Sequence, residues 1–164
     1  MKLRAIIWTT ACLLCSATVS AEFETKIPVE ATGSGSFIVT AEVGASTADQ
    51  FLLDTGANLS AISGKFFKRI KATNDVEKVR RVATRLANGK LNATQVYRVE
   101  TLKLAGQCEI SPFEFVVMES SQRNLLGMSA LAQVAPFAFH VAPAAIGVSG
   151  CQSDILSGNS FASN

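Results

Sequence analysis

The stretch that decides the fold runs from Gln50 to Ser63 and reads QFLLDTGANLSAIS. Its apolar residues Phe51–Leu53 form the short run that is typical of a buried strand, and the run ends at Asp54. A carboxylate at the edge of a core is costly unless hydrogen bonds or a shared proton offset its burial. Thr55 then brings a hydroxyl, and Gly56 lets the backbone turn tightly. The stretch therefore predicts a short polar loop that holds one acid between two strands.

A second motif lies downstream, where Asn124–Leu131 reads NLLGMSAL. Together with Asp54–Ala57 it resembles the retropepsin-like aspartic proteases, in which an apolar run precedes Asp-Thr/Ser-Gly-Ala/Ser and an apolar-apolar-Gly segment crosses behind the catalytic loop. Without this second motif, Asp-Thr-Gly is equally well explained as a plain surface turn. The resemblance covers roughly residues 30–148, and together with the signal-peptide pattern of residues 1–21 it predicts an exported bacterial member of the family. It also implies an all-β fold: a closed β-barrel or sandwich with a flap hairpin and one short C-terminal helix.

The resemblance assigns roles to individual residues. The implied residues are, for catalysis, Asp54, Thr55 and Gly56; for substrate binding, Ala57, Asn58, Asn88 and Gly89; and for support of the catalytic loop, Leu125, Leu126 and Gly127. The chain departs from the family at Asn58, where many viral members carry a second acid, and this changes the expected contacts to the substrate backbone. The termini, which build the dimer interface of viral enzymes, match nothing that can be aligned.

Peptide hydrolysis by carboxylates requires two acids around one water, one ionised to take its proton and one protonated to polarise the carbonyl. This chain carries a single Asp-Thr/Ser-Gly sequence. By its resemblance to retroviral-type proteases, it is expected to form a homodimer in which two Asp54 carboxylates meet and share a proton. The prediction is an aspartic endopeptidase acting on peptides or proteins. The alternative is a module that keeps the fold and binds or assembles without turnover.

The strongest short hairpin signal is Asn88-Gly89, because both residues tolerate the positive φ angles of a type I′ turn. Strand-like sequence reaches Leu86 and resumes at Leu91. In a retropepsin-like fold this hairpin takes the position of the flap, a mobile hairpin that closes over substrate. The alternative is a hairpin with a structural role only.

Apolar alternation predicts strands through most of the remaining chain. These predicted strands cover residues 23–30, 37–43, 79–86, 91–104, 113–118, 137–141 and 144–148, and one or two helical turns cover residues 65–70. Residues 75–83 also fit helical spacing, but their β-branched content favours a strand from Val79 onward. The basic residues of this region are interpreted as a solvated strand face rather than a polyanion site.

Residues 1–21 have the pattern of a secretory signal peptide, with Lys2 and Arg4, an apolar stretch, and a small-residue cleavage site ending at Ala21. The apolar stretch is too short to span a membrane. A lipoprotein signal is the less favoured alternative, because bulky Leu14 precedes Cys15. The expected organisation is a signal peptide, a protease domain over residues 22–148 and a polar tail over 149–164. The exported protein is expected in the periplasm or outside the cell.

Charge and composition argue against several other classes. Loss of Lys2 and Arg4 from 15 basic residues, against 13 acidic ones, leaves 13 of each, a balance that suggests no nucleic-acid partner. His140 is the only histidine and is interpreted as a strand residue with a structural partner, so no metal or other cofactor is expected. Cys108 and Cys151 survive signal removal, and they either form one disulfide or remain two thiols.

Overall fold

The computed structural model describes residues 23–45, 47–85, 89 and 91–151. The predicted signal peptide, Asn88 and residues 152–164 lie outside these ranges. The strands of the described part are β1 Thr25–Pro28, β2 Glu30–Ala31, β3 Phe37–Val43, β4 Thr47–Leu53, β5 Ser60–Ser63, β6 Glu77–Arg85, β7 Leu91–Val99, β8 Leu102–Leu104, β9 Cys108–Ile110, β10 Phe113–Met118, β11 Asn124–Leu126, β12 Phe137–Val141 and β13 Ala144–Val148. The helices are α1 Gly64–Thr73, α2 Met128–Leu131 and a 3₁₀ turn Ala132–Val134.

The strands form two sheets, which confirms the predicted all-β class. The larger sheet has the order β6-β7-β10-β5-β11-β4-β3-β8-β9, with β2 also paired to β3. The smaller sheet has the order β1-β13-β12. Two neighbouring pairs in the centre of the larger sheet, β4 with β11 and β5 with β10, are parallel. This arrangement places the end of β4, and the residues that follow it, beside β11.

Helix α1 covers one face of the larger sheet and is longer than the one or two turns predicted. The Ser63 side chain accepts a hydrogen bond from the backbone N–H of Phe66 at 3.2 Å, which caps the start of the helix. The backbone N–H of Asn74 donates to the carbonyl of Ile70 at 2.9 Å and ends it. Phe66, Phe67 and Ile70 are buried, as the sequence predicted.

The core is built around aromatic residues of β4, α1 and β10. Phe51 is fully buried, and its ring meets those of Phe66 and Phe113 edge to face at 5.8 and 6.3 Å between centroids. Full burial of such a side chain contributes about 1.5–3 kcal/mol. The apolar run before Asp54 is therefore fixed in the core through Phe51.

The root of the β6–β7 hairpin is tied to β10 by charged side chains. Arg98 donates to Glu114 at 2.8 Å and lies 3.3 Å from Glu77, while Arg80 also pairs with Glu114. Burial alone would raise the pKa of Glu114, but the hydrogen bonds from Arg98 and Arg80 outweigh it and the pKa is lowered. The stabilisation is therefore present above the ordinary glutamate pKa and is lost as pH falls through the lowered value.

A disulfide joins Cys108 of β9 to Cys151, with 5.1 Å between the Cα atoms, which confirms the pairing over the two free thiols. It ties the segment after β13 to the far edge strand of the larger sheet. The two cysteines are 43 residues apart in the sequence. Closing a loop of this length restricts the unfolded chain and stabilises the folded protein in the chain-entropy account.

We predict that the double variant Cys108→Ala/Cys151→Ala unfolds with about 4 kcal/mol less free energy than the oxidised protein, from the loop-closure entropy of that separation. Urea unfolding followed by circular dichroism measures the difference. Reductant should lower the stability of the natural chain to a similar extent and leave the double variant unchanged. Equal unfolding midpoints with and without reductant in the natural chain would contradict the prediction.

Candidate active site

The carboxylate of Asp54 lies at the end of β4, in a loop that folds back on itself. The side-chain Oδ1 accepts a hydrogen bond from the backbone N–H of Gly56 at 2.9 Å. The backbone N–H of Ala57 donates to the Asp54 carbonyl at 3.3 Å, and that of Asp54 donates to Leu126 at 3.0 Å. Asp54 is half-buried, whereas Thr55 beside it is exposed. The loop thus holds its acid in a fixed position at the protein surface.

Strand β11 and the start of α2 support this loop from behind. Leu125 and Leu126 pair in parallel register with Leu52 and Leu53 of β4. The backbone N–H groups of the next two residues past Gly127 then bind the loop. Met128 donates to the carbonyl of Ala57 at 2.8 Å, and Ser129 donates to that of Asn58 at 2.9 Å. The structure therefore brings together the two motifs that the sequence showed 70 residues apart, from Ala57 to Gly127.

Gly127 is required by the closeness of this contact. A Cβ atom at this position would lie 2.5 Å from the carbonyl oxygen of Leu59 and 2.8 Å from that of Ala57. Both neighbours are backbone atoms of the Asp54 loop and its continuation, so a rotamer change cannot relieve the overlap. Its φ of −89° suits any residue, so space and not backbone conformation demands glycine here.

Three polar side chains that the sequence did not single out connect β11 and α2 to β4 and β5 by hydrogen bonds. The Ser60 hydroxyl accepts from the N–H of Gly127 at 3.1 Å, and the Ser129 hydroxyl accepts from the N–H of Ser60 at 3.2 Å. Asn124 accepts from the N–H of Ser63 at 2.9 Å and donates to the carbonyl of Gln50 at 3.0 Å. Ser60 and Asn124 are buried. Ser60 gave a sequence signal, as a polar residue inside an apolar run that needs a hydrogen-bond partner, whereas Asn124 follows other polar residues and gave none.

A small apolar cluster joins β5, which follows the Asp54 loop, to β7 of the hairpin and to β10. Ala61, Val96 and Val116 form a small buried cluster separate from the main core. Leu59 and Leu125 are partly exposed and pack against this cluster. Part of the apolar surface of Leu59 and Leu125 therefore faces solvent.

The predicted flap residues are only partly described. Strands β6 and β7 pair in antiparallel register from Glu77 opposite Arg98 to Arg85 opposite Leu91, as a hairpin requires. Gly89 is exposed with φ of 80°, and a Cβ there would meet no atom within 4 Å. Asn88 lies outside the described residues. The role of Asn88 and Gly89 as a flap tip stays a prediction.

His140 lies on β12, in the smaller sheet. Its ring meets that of Phe23 edge to face at 6.1 Å, and its buried Nε2 has no hydrogen-bond partner among the described residues. No group of three or more His, Cys, Asp or Glu residues in the described part could hold a metal ion. Within the same residues, no helix has the length and apolar character needed to cross a membrane.

These features define a chain of the retropepsin-like aspartic protease class, and comparison with known proteins identifies the family. Residues 39–133 match the family described as "gag-polyprotein putative aspartyl protease", and the chain belongs to this family. The fold is similar to the crystal structure of a retropepsin-like aspartic protease from Rickettsia conorii, with a TM-score of 0.58 and 21% sequence identity. That match covers 76% of this chain and 91% of the other. No curated protein matches the sequence.

Proposed function

We propose that this protein is an aspartic endopeptidase that hydrolyses peptide bonds through an acid pair formed by Asp54 of two subunits. The observation that carries the proposal is the position of the Asp54 carboxylate, which accepts a hydrogen bond from the N–H of Gly56 at 2.9 Å. The loop that holds it is bound by the backbone N–H groups of Met128 and Ser129 of α2. Membership of the aspartyl protease family supports the peptidase chemistry. Thr55 and Gly56 are exposed beside Asp54, so a second subunit and a substrate can approach the acid.

In this proposal each subunit supplies half of the active site. One Asp54 is ionised and takes a proton from the attacking water, while the other is protonated and polarises the scissile carbonyl. Two carboxylates that share one site ionise as a pair, because two negative charges so close repel each other. The rigid support from Gly127 and its neighbours would keep both acids within reach of the same water.

The outer edge of β12 supports a homodimer. Within the described part of the chain, β12 pairs with β13 alone, so its other edge is free to accept a strand. Val141 on this strand is 75% exposed, which is unusual for a large aliphatic residue. Phe139 stacks on Phe37 at 5.3 Å between ring centroids, and the next residue, Ile38, pairs with Leu52 close to Asp54. Phe139, in the middle of β12, therefore lies at the same end of β4 as the acid.

We also infer that the protein acts outside the cytoplasm, in the periplasm or beyond it. The disulfide between Cys108 and Cys151 supports this inference, because such bonds persist in oxidising compartments. Fractionation of cells that express the full chain would place the protein, and a cytoplasmic pool with both thiols reduced would contradict the inference.

We predict that peptidase activity per mole falls on dilution, because a shared active site is lost when the dimer dissociates. Below the dimer dissociation constant, specific activity should decline in proportion to protein concentration. Cleavage of a fluorogenic peptide over a dilution series measures this, with sedimentation velocity on the same samples as the structural control.

A mixing experiment tests the same pairing. Excess Asp54→Asn protein should suppress the activity of the natural chain by forming mixed dimers that hold a single ionisable acid. Asp75→Asn protein, changed at an exposed acid between α1 and β6, is the matched control and should not suppress it. Constant specific activity down to monomeric concentrations, with subunit exchange shown separately, would exclude a shared site.

A further inference from the structure

A cavity of about 440 Å³ lies beside the middle of β4 and carries an excess of positive charge. Its basic lining residues are Lys65, Arg69 and Arg123, and its acidic lining residue is Asp49. We propose that this cationic pocket binds an acidic side chain of the peptide substrate, and so selects peptides with Asp or Glu near the cleaved bond. The proposal rests on the peptidase function proposed above and names the substrate class for the same site.

The single acidic residue of the pocket does not neutralise all of its positive charge. The Arg69 guanidinium lies 2.9 Å from the Asp49 carboxylate and donates a second bond to the carbonyl of Ala48 at 2.9 Å. Lys65 and Arg123 have no ion-pair partner among the described residues. Two cationic groups therefore remain for a ligand after the internal pair is counted, and a carboxylate is the side-chain group they would attract.

Polar groups around these cations suit a carboxylate. Hydroxyls of the β2–β3 turn and amides from two other segments line the pocket; they belong to Thr32, Ser34, Ser36, Gln50, Gln122 and Asn124. Hydroxyl and amide N–H groups donate hydrogen bonds that satisfy the second oxygen of a carboxylate. Ile38 and Leu52 add apolar surface for the methylene groups of such a side chain.

The position of the pocket relative to Asp54 follows from the residues of β4 that line it. Gln50 and Leu52 line the pocket, whereas Phe51 between them faces the core. Asp49 also lines the pocket, so the lining residues of β4 lie two to five positions before Asp54 in the sequence. The strand rises about 3.3 Å per residue, so Gln50 lies about 13 Å from Asp54 along the chain, the length of about four residues of an extended peptide. The acidic residue is thus expected within four positions of the cleaved bond.

Cleavage of matched peptides tests the proposal. The peptide set carries Glu, or Gln as its counterpart, at each of four positions on either side of the scissile bond. We expect at least one Glu peptide to be cleaved at low salt with a kcat/KM about fivefold above that of its Gln counterpart, an effect of the size typical of exposed charge pairs. The preference should shrink in 0.5 M salt because of screening. In Lys65→Gln and Arg123→Gln the Glu-to-Gln ratio should approach one, whereas Lys68→Gln, an exposed change on α1 outside the pocket, should keep it.

A binding arm separates failure of this proposal from failure of the peptidase function. Fluorescence anisotropy of the labelled Glu and Gln peptides with Asp54→Asn protein needs no turnover. If Asp54→Asn protein binds the Glu peptide about fivefold more tightly than the Gln peptide, and the double variant Asp54→Asn/Lys65→Gln does not, the result supports the pocket even if no peptide is cleaved. Equal affinity for both peptides in this assay, or cleavage with equal kcat/KM at every position, would overturn it.

Discussion

Replacement of Asp54 by Asn is expected to lower kcat/KM by about 10³-fold or more, because positioned acid–base groups contribute 10²–10⁴-fold and the variant removes both acids of the dimer. The folded structure should persist. The Asn side-chain oxygen can still accept the hydrogen bond that Gly56 donates to Oδ1 at 2.9 Å, and the volume is nearly unchanged. Peptide cleavage by purified variant and natural protein at equal, dimeric concentration measures the loss.

Two measurements keep this prediction specific to catalysis. Thermal unfolding of Asp54→Asn should match that of the natural chain within a few degrees, which excludes misfolding as the cause of lost activity. Asp75→Asn, at an exposed position, should retain both stability and turnover. Turnover by Asp54→Asn at the natural rate would show that another group carries out the reaction.

Local sequence patterns predicted much of this fold because they act over short distances. The apolar run that ends at Asp54 became β4, and the alternation over residues 113–118 became β10. The inward residues of α1 were also predicted, since Phe66, Phe67 and Ile70 share one helical face. The family resemblance then indicated that the Gly127 segment would lie near Asp54, and the structure places it there.

The details of loop support were not predictable, because they depend on contacts between distant residues. Asn124 bonds Ser63 across 61 positions, and Ser60 bonds Gly127 across 67. Periodicity reports which face of an element is apolar and carries no information about such partners. The length of α1 was underestimated mainly at its end, because residues 71–73 are exposed and add no inward apolar residue to the pattern. The cationic pocket likewise joins β3, β4, α1 and the start of β11, which no single segment reveals.

The second large effect is expected at Gly127, where the backbone of the Asp54 loop leaves no room for a side chain. A Cβ would lie 2.5 Å from the oxygen and 2.6 Å from the carbon of the Leu59 carbonyl, well inside any normal contact. These atoms belong to the chain between Asp54 and Ser60, so the overlap must be relieved by moving the loop or α2. Either movement strains the hydrogen bonds that Met128 and Ser129 donate to the loop.

We therefore predict that Gly127→Ala destabilises the protein by about 1–3 kcal/mol, the usual cost of overpacking. It should also lower kcat/KM by about 10²-fold, because a displacement of about 1 Å at a catalytic group costs this much. Urea unfolding and peptide cleavage measure the two effects. Gly33→Ala is the matched control, since a Cβ at Gly33 meets no atom within 4 Å and its φ is not positive. If Gly127→Ala behaves like Gly33→Ala in both assays, the close contact of α2 with the Asp54 loop is not what holds the acid in place.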